Sequence, residues 1–404
     1  MDTPIGLDIV RPANDGAGVG HHPDGRVVFV EGALPDERVM AQITQQHKRH
    51  LRAEVAEILV AAPGRIDPVC NTHHQGCGGC DLAHADIATQ HTIKAAVVRD
   101  ALVRIGRIDA NTVDRALDPT VRTPAGALTG YRTTVRVGVV AGRAGYRRAR
   151  SHDVIPADVC SVAHPLLEDL LRTIRFDDDS NSEATLRVSD ATGERIALVD
   201  GEPDAVDVPA DVSVIAQSEL ETGQTLSMQE FPAGRDWQVS AASFFQPGPQ
   251  VATLLVDVLA EQVGDLSSKT LVDAYAGVGL FAGTLGASAA QVHAVERSGS
   301  STADARVNLA DSNATIHEVE VEKWSPTPAD VVVADPSRSG LGARGVEVLG
   351  QCGAETFVLV SCDTGSLGRD LGLLIGAGYQ LDSVVMVDAF ADTSHIEVIS
   401  TLHT

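Results

Sequence analysis

Residues 270–285 read TLVDAYAGVGLFAGTL, and this stretch decides the fold. An apolar run leads to Asp273, Gly277 and Gly279 then make a turn, and a helix-like segment follows. Glycines at a strand-to-helix turn let the backbone come close to a ligand. Working outward, further apolar runs alternate with helical stretches: QVHAVER (291–297), DVVVADP (330–336) and TFVLVSC (356–362). The alternation predicts βαβ units and a mostly parallel, doubly wound α/β sheet from about Trp237 onward. The final runs, VVMVDAF (384–390) and HIEVISTL (395–402), leave no room for a helix between them. They are expected to pair antiparallel at one edge of the sheet.

Doubly wound sheets bind ligands at the carboxyl ends of their strands. That rim collects Asp273, Glu296, Asp335 and Cys362. Glu296 lies one βαβ step beyond the glycines, where an acid can hold ribose hydroxyls. The turn lacks the third glycine of the dinucleotide pattern, which favours S-adenosylmethionine over NAD. Asp335 either faces a ligand or caps the next helix. Cys362 is either a small buried side chain or a nucleophile. On the rim of a methyl-transfer sheet, a cysteine suggests a specific chemistry. Carbon-5 of a pyrimidine is too poor a nucleophile to attack a sulfonium methyl directly, and thiolate addition at carbon-6 activates it. A base must afterwards remove the carbon-5 proton. Glu397 is the candidate, set against the plainer reading of an exposed strand carboxylate.

The chain has 404 residues, enough for two to four domains. Residues 1–60 alternate short apolar runs with Gly and Pro turns, as a small antiparallel β-barrel does. APGRIDPVC (62–70) reads as a linker, and DIATQHTIKAAVVRDALVRIG (86–106) has helical periodicity. Residues 120–235 look β-rich. Three of six cysteines crowd into CNTHHQGCGGC (70–80), and Cys160 lies far away. Three close thiols and a remote one match the ligand count of tetrahedral zinc or of a [4Fe–4S] cluster. The N-terminus has no signal-like run and no segment approaches a membrane span, so a cytoplasmic chain with reduced cysteines and no membrane partner is expected. The net charge of −24 argues against a nucleic-acid partner. Residues 119–152 nevertheless hold seven arginines and no acid, which leaves room for a phosphate backbone and salt-sensitive binding.

Together these motifs resemble the S-adenosylmethionine-dependent RNA uridine-5-methyltransferases, across essentially the whole chain. GRVVFVEGALPDERV (25–39) looks like the RNA-binding TRAM β-barrel. CGGC with Gln90 and Lys94 looks like the family's iron–sulfur region, and YRTTVRVGV (131–139) with GYRRARSH (145–152) fits its central domain. The resemblance implies a TRAM-like barrel at 1–60, an iron–sulfur and RNA-gripping domain at 61–235, and a Rossmann-like class I methyltransferase domain at 236–404. It further implies a [4Fe–4S] cluster on Cys70, Cys77, Cys80 and Cys160. S-adenosyl-L-methionine is expected at Gln246, Tyr275, Glu296 and Asp335, over the turn of Asp273, Gly277 and Gly279. Cys362 becomes the nucleophile and Glu397 the base, acting on a uridine of ribosomal or transfer RNA as a monomer. Phe244 or Phe245 would stack near the uridine.

Some residues depart from the family pattern. Asp363-Thr364 stands where Asn-Pro is common, and DPSR replaces a double proline. Six residues separate Cys70 from Cys77 where five are usual. A carboxylate at Asp363 would raise the neighbouring thiol pKa unless it points away. Two alternatives fit the same fold: an amino-directed nucleic-acid methyltransferase relying on Asp335-Pro336, and a non-catalytic RNA-binding protein. Neither needs Cys362.

Overall fold

In the computed structural model, which describes residues 3–126, 128–177 and 180–404, the run Thr270–Ala274 forms β1 of a doubly wound sheet. The sheet continues with β2 (Gln291–Glu296), β3 (Ala314–Glu318), β4 (Val331–Ala334), β5 (Thr356–Ser361), β6 (Gln380–Val387) and β7 (Glu397–His403). The order is β3-β2-β1-β4-β5-β7-β6, parallel as far as β5, with β7 antiparallel to both neighbours. The expected final pair is therefore present, but the outer edge belongs to another stretch of chain. Leu117–Arg122 runs parallel to β6 beyond it. Its Pro119 suits an edge, because a proline has no N–H to give to a further strand.

Both faces of this sheet are covered, which is why its strands read as unbroken apolar runs. Leu271, Val358 and Ile399 face helix α1 (Pro249–Val263) through Val251, Leu255 and Leu259. Val272, Phe357 and Leu359 face the other way, with Leu349 of α3 (Gly342–Gly350) and Leu367 and Leu371 of α4 (Thr364–Gly376). The short α2 (Leu280–Thr284) follows the glycine turn. Val98, Leu102 and Val113 join that second layer, so residues 87–116 pack on the methyl-transfer sheet. The contact is close. A Cβ on Gly368 would stand 2.6 Å from the carbonyl oxygen of Ala101, so backbone meets backbone there.

The N-terminal six strands close around Leu7, Ile9, Val28, Val39 and Leu51. They are antiparallel except where Val27–Glu31 runs parallel to His50–Val60. A central sheet built on Thr134–Val140, Arg143–Arg147, Glu183–Val188 and Arg195–Val199 is backed by Leu167, Leu170 and Leu171 of one helix. The cysteine loop is stitched to this sheet. The Gly78 N–H donates to the Arg147 carbonyl at 3.1 Å, and the Thr72 hydroxyl donates to the Val159 carbonyl at 2.6 Å. Cys70, Cys77 and Cys80 are thereby brought beside Cys160.

The basic stretch differs from the expectation of free phosphate-binding arginines. Arg136 and Arg147 both pair with Glu183, and Arg143 pairs with Asp158. Arg150 reaches the barrel, where it meets Asp15 at 2.8 Å and Glu31 at 2.6 Å. No helix among the described residues is long and apolar enough to cross a membrane.

Candidate active site

β5 ends at Ser361 and delivers Cys362 to the sheet rim, directly before α4. Asp363 caps that helix by accepting from the Ser366 N–H at 2.7 Å, so its carboxylate is engaged with backbone. Opposite stands Glu397, the first residue of β7. Register pairs Val398 with Ser361 and Glu397 with Val387, which sets Glu397 alongside Cys362. Glu397 is only 4% exposed, and its Oε1 has no hydrogen-bond partner among the described residues.

Two carboxylates, a thiol and a guanidinium meet electrostatically here. Burial first, then the Glu397 and Asp335 carboxylates, push the Cys362 thiol up to about 12, while Arg338 opposes them. Burial and Asp335 hold Glu397 well above the usual carboxylate range, again against Arg338. Asp335 is itself pushed up to about 7 by burial, with Gln246 pulling the other way. The Gln246 Nε2 donates to Asp335 Oδ2 at 3.3 Å. Gln246, Asp335, Cys362 and Glu397 therefore meet in one place, as expected from sequence. Arg338 joins them unforeseen; its signal was a lone cation just past Asp335-Pro336. Phe244 is 68% exposed and Phe245 is buried, so only Phe244 offers a free ring.

The glycine turn lies along the same rim. Tyr275 takes a left-handed backbone (φ 64°), and its hydroxyl donates to Glu322 Oε1 at 2.9 Å. Glu296 accepts from the Gly277 N–H at 3.0 Å and from the Ser298 N–H at 2.7 Å, so the acid and the turn hold each other. Gly277 (φ 55°) has open space where a Cβ would stand, whereas a Cβ on Gly279 would press on Leu309 at 2.9 Å. Gly277 thus leaves room for a ligand and Gly279 serves packing. Asp273 is fully buried, accepts from the Ala282 N–H at 2.8 Å, and is pushed up to about 8 by burial. Its bond anchors α2 beneath the turn.

Comparison with known proteins gives this geometry a family. Residues 7–56 match the TRAM domain. An uncharacterized RNA methyltransferase of Streptomyces avermitilis is 33% identical, over 98% of this chain and 97% of its own. The 23S rRNA (uracil(1939)-C(5))-methyltransferase RlmD of Halomonas elongata is 31% identical, over 95% of this chain and 86% of its own. The chain belongs to the RNA uracil-C5 methyltransferase family. Its fold is that of the Pyrococcus abyssi tRNA (uracil-54, C5)-methyltransferase, solved with S-adenosyl-L-homocysteine, with a TM-score of 0.73 over 98% of this chain and 99% of that one at 20% identity.

In this methyltransferase Cys70, Cys77, Cys80 and Cys160 form no disulfide among the described residues. Burial raises Cys77, Cys80 and Cys160, and neighbouring thiols raise each further: Cys160 and Cys70 act on Cys77, Cys160 and Cys77 on Cys80, and Cys70 on Cys160. The four lie within electrostatic reach of one another. Among the described residues no group of three or more His, Cys, Asp or Glu side chains is arranged so as to hold a metal ion.

Proposed function

We propose that this chain methylates carbon-5 of a uridine in ribosomal or transfer RNA, with Cys362 as covalent nucleophile. The observation that carries the reading is the meeting of Cys362 and Glu397 beside Asp335 and Gln246, on the rim shared with the Gly277 turn. Gln246, Tyr275, Glu296 and Asp335, with the turn of Asp273, Gly277 and Gly279, would hold S-adenosylmethionine, which would supply an electrophilic methyl group, the pair of the broken S–CH3 bond staying on its sulfur. The thiolate of Cys362 adds to carbon-6 and turns carbon-5 into an enolate-like carbon that can accept that methyl. Glu397 then takes the carbon-5 proton; the released electron pair restores the C5–C6 double bond, and the C6–S bond breaks with its pair returning to sulfur. Arg338 supplies the positive charge that favours the thiolate in a buried, acidic corner. Attack from the face of the ring requires the uridine to be in a loop or flipped out. The name of the Halomonas elongata relative favours ribosomal RNA, and that of the Pyrococcus abyssi neighbour transfer RNA. The TRAM barrel and the central sheet built on Thr134–Val140, Arg143–Arg147, Glu183–Val188 and Arg195–Val199 serve to hold that RNA.

RNA carrying 5-fluorouridine tests the chemistry, because fluorine cannot leave as a proton does. A methylated, Cys-linked complex is expected. Methyl transfer that survives Cys362→Ala would instead indicate an amino-directed enzyme. Mass spectrometry of 5-methyluridine in RNA from a strain lacking the gene identifies the target.

The four thiols fit a [4Fe–4S] cluster by their chemistry. They form no disulfide, burial and neighbouring thiols raise Cys77, Cys80 and Cys160, and iron would supply the positive charge that stabilises their thiolates. No redox step is needed when the thiol of Cys362 does the addition, so the group would be structural or RNA-positioning. Anaerobically purified protein should carry about four irons per chain; stoichiometric zinc, or no metal, would refute the assignment.

A further inference from the structure

The segment between β6 and β7 feeds Glu397 into the site, and several of its bonds run to residues 81–94, which follow the cysteine loop. Asp81 follows Cys80 directly. Its Oδ1 accepts from the Ser394 N–H at 2.7 Å, and its Oδ2 accepts from the Ser394 hydroxyl at 2.6 Å. The next residue, Leu82, donates its N–H to the Asp392 carbonyl at 2.9 Å. Asp392 takes a left-handed backbone (φ 64°) and is gripped by Gln90 on both sides: the Gln90 Nε2 donates to its Oδ1 at 2.9 Å, and its N–H donates to Gln90 Oε1 at 3.0 Å. Fully buried Lys94 donates to Asp388 Oδ1 at 2.6 Å and to the Phe390 carbonyl at 3.1 Å. The barrel closes over the same point. Gly16 (φ 77°) lies so near that a Cβ there would come within 2.7 Å of Asp81 Oδ2 and 3.4 Å of Ser394 Cβ.

Nothing in the carbon-6 addition or the methyl transfer uses this clamp. It lies three residues upstream of Glu397, the group that acts only afterwards. We propose that Asp81 is a positioning residue for proton abstraction: through Ser394 it fixes the approach to Glu397, and so couples the cysteine loop to the step that frees the product. The proposal rests on the covalent reading given above. A displaced base leaves addition and methylation intact, while the proton on carbon-5 stays and the C6–S bond persists. General-base catalysis is steeply sensitive to a displacement of the order of an ångström.

The test uses the full-length, metal-replete enzyme with RNA tritiated at carbon-5. Asp81→Asn should release tritium about tenfold more slowly than wild type while a denaturation-resistant, methylated protein–RNA complex accumulates and KM for RNA stays put. Ser394→Ala, which removes only the hydroxyl bond and is remote in sequence from the thiols, should show the same accumulation to a smaller degree. Amide hydrogen exchange over residues 392–396 should quicken in both, without RNA present. The proposal is overturned if complex and tritium release fall together, if KM rises instead, or if exchange is unchanged. Wild-type enzyme that fails to be trapped by 5-fluorouridine RNA would overturn the underlying covalent chemistry, which separates that failure from one confined to Asp81.

Discussion

Cys362, the proposed nucleophile, is held in its protonated form by burial and by the carboxylates beside it. With its thiol pushed up to about 12, the thiolate is a small fraction near neutral pH, and that fraction rises about tenfold for each pH unit below the pKa. Iodoacetamide should therefore modify Cys362 slowly at pH 8 and about tenfold faster per unit through pH 10. Arg338→Ala removes the cation that opposes the two carboxylates and should slow the reaction at every pH in that range. A flat profile would mean that the acids do not control the thiol. Asp363 answers differently. Its carboxylate engages the Ser366 N–H, and Asn caps a helix nearly as well as Asp. Asp363→Asn should keep methylation and lose at most about 1 kcal/mol through the helix dipole, read as a small drop in melting temperature. Asp363→Ala removes the cap and should cost about 1 kcal/mol. The proposed nucleophile and base, Cys362 and Glu397, were legible as residue types on a rim. Arg338 was not, because an arginine after a turn looks like any solvated side chain until the fold folds it back over two acids.

The helix behind Cys362 depends on having no side chain at Gly368. A Cβ there would meet the Ala101 carbonyl at 2.6 Å and Ile105 Cβ at 3.1 Å, and such overpacking typically costs about 1–3 kcal/mol. Gly368→Ala should lower the urea midpoint accordingly and slow methylation as well, since α4 begins beside Cys362. An unchanged midpoint would mean that residues 101–106 yield without cost. The partner segment lay outside the expected catalytic stretch. β1, β4 and β5 announce themselves because a strand buried on both faces must be apolar throughout. Leu117–Arg122 carries Pro119 and has no fully buried residue, so its periodicity carries no signal and it passes for a connector. Edge strands are read poorly for this reason: their identity comes from the sheet they join.

Across the whole molecule, the arginine-rich stretch is spent on carboxylates of the chain itself. Seven free arginines on a single strand would give a log affinity against log salt slope of about −5. With Arg136, Arg143, Arg147 and Arg150 already paired, a phosphate must displace a carboxylate and fewer counterions are released. The slope measured by filter binding between 50 and 200 mM salt is expected to be less than half of that figure. A slope near −5 would mean that RNA strips these pairs open. The pairing was invisible in sequence because Glu183, Asp158, Asp15 and Glu31 stand far along the chain from their arginines. The bridge from Arg150 to Asp15 and Glu31 has a consequence of its own. It is a half-exposed ionic latch between barrel and central sheet, and exposed ion pairs weaken as salt screens them. Gly16, one residue from Asp15, lies against the Asp81–Ser394 clamp. Ionic strength should therefore act as a remote throttle on this molecule: loosening the barrel would lengthen the life of the proposed Cys362–uridine adduct, even where the RNA stays bound.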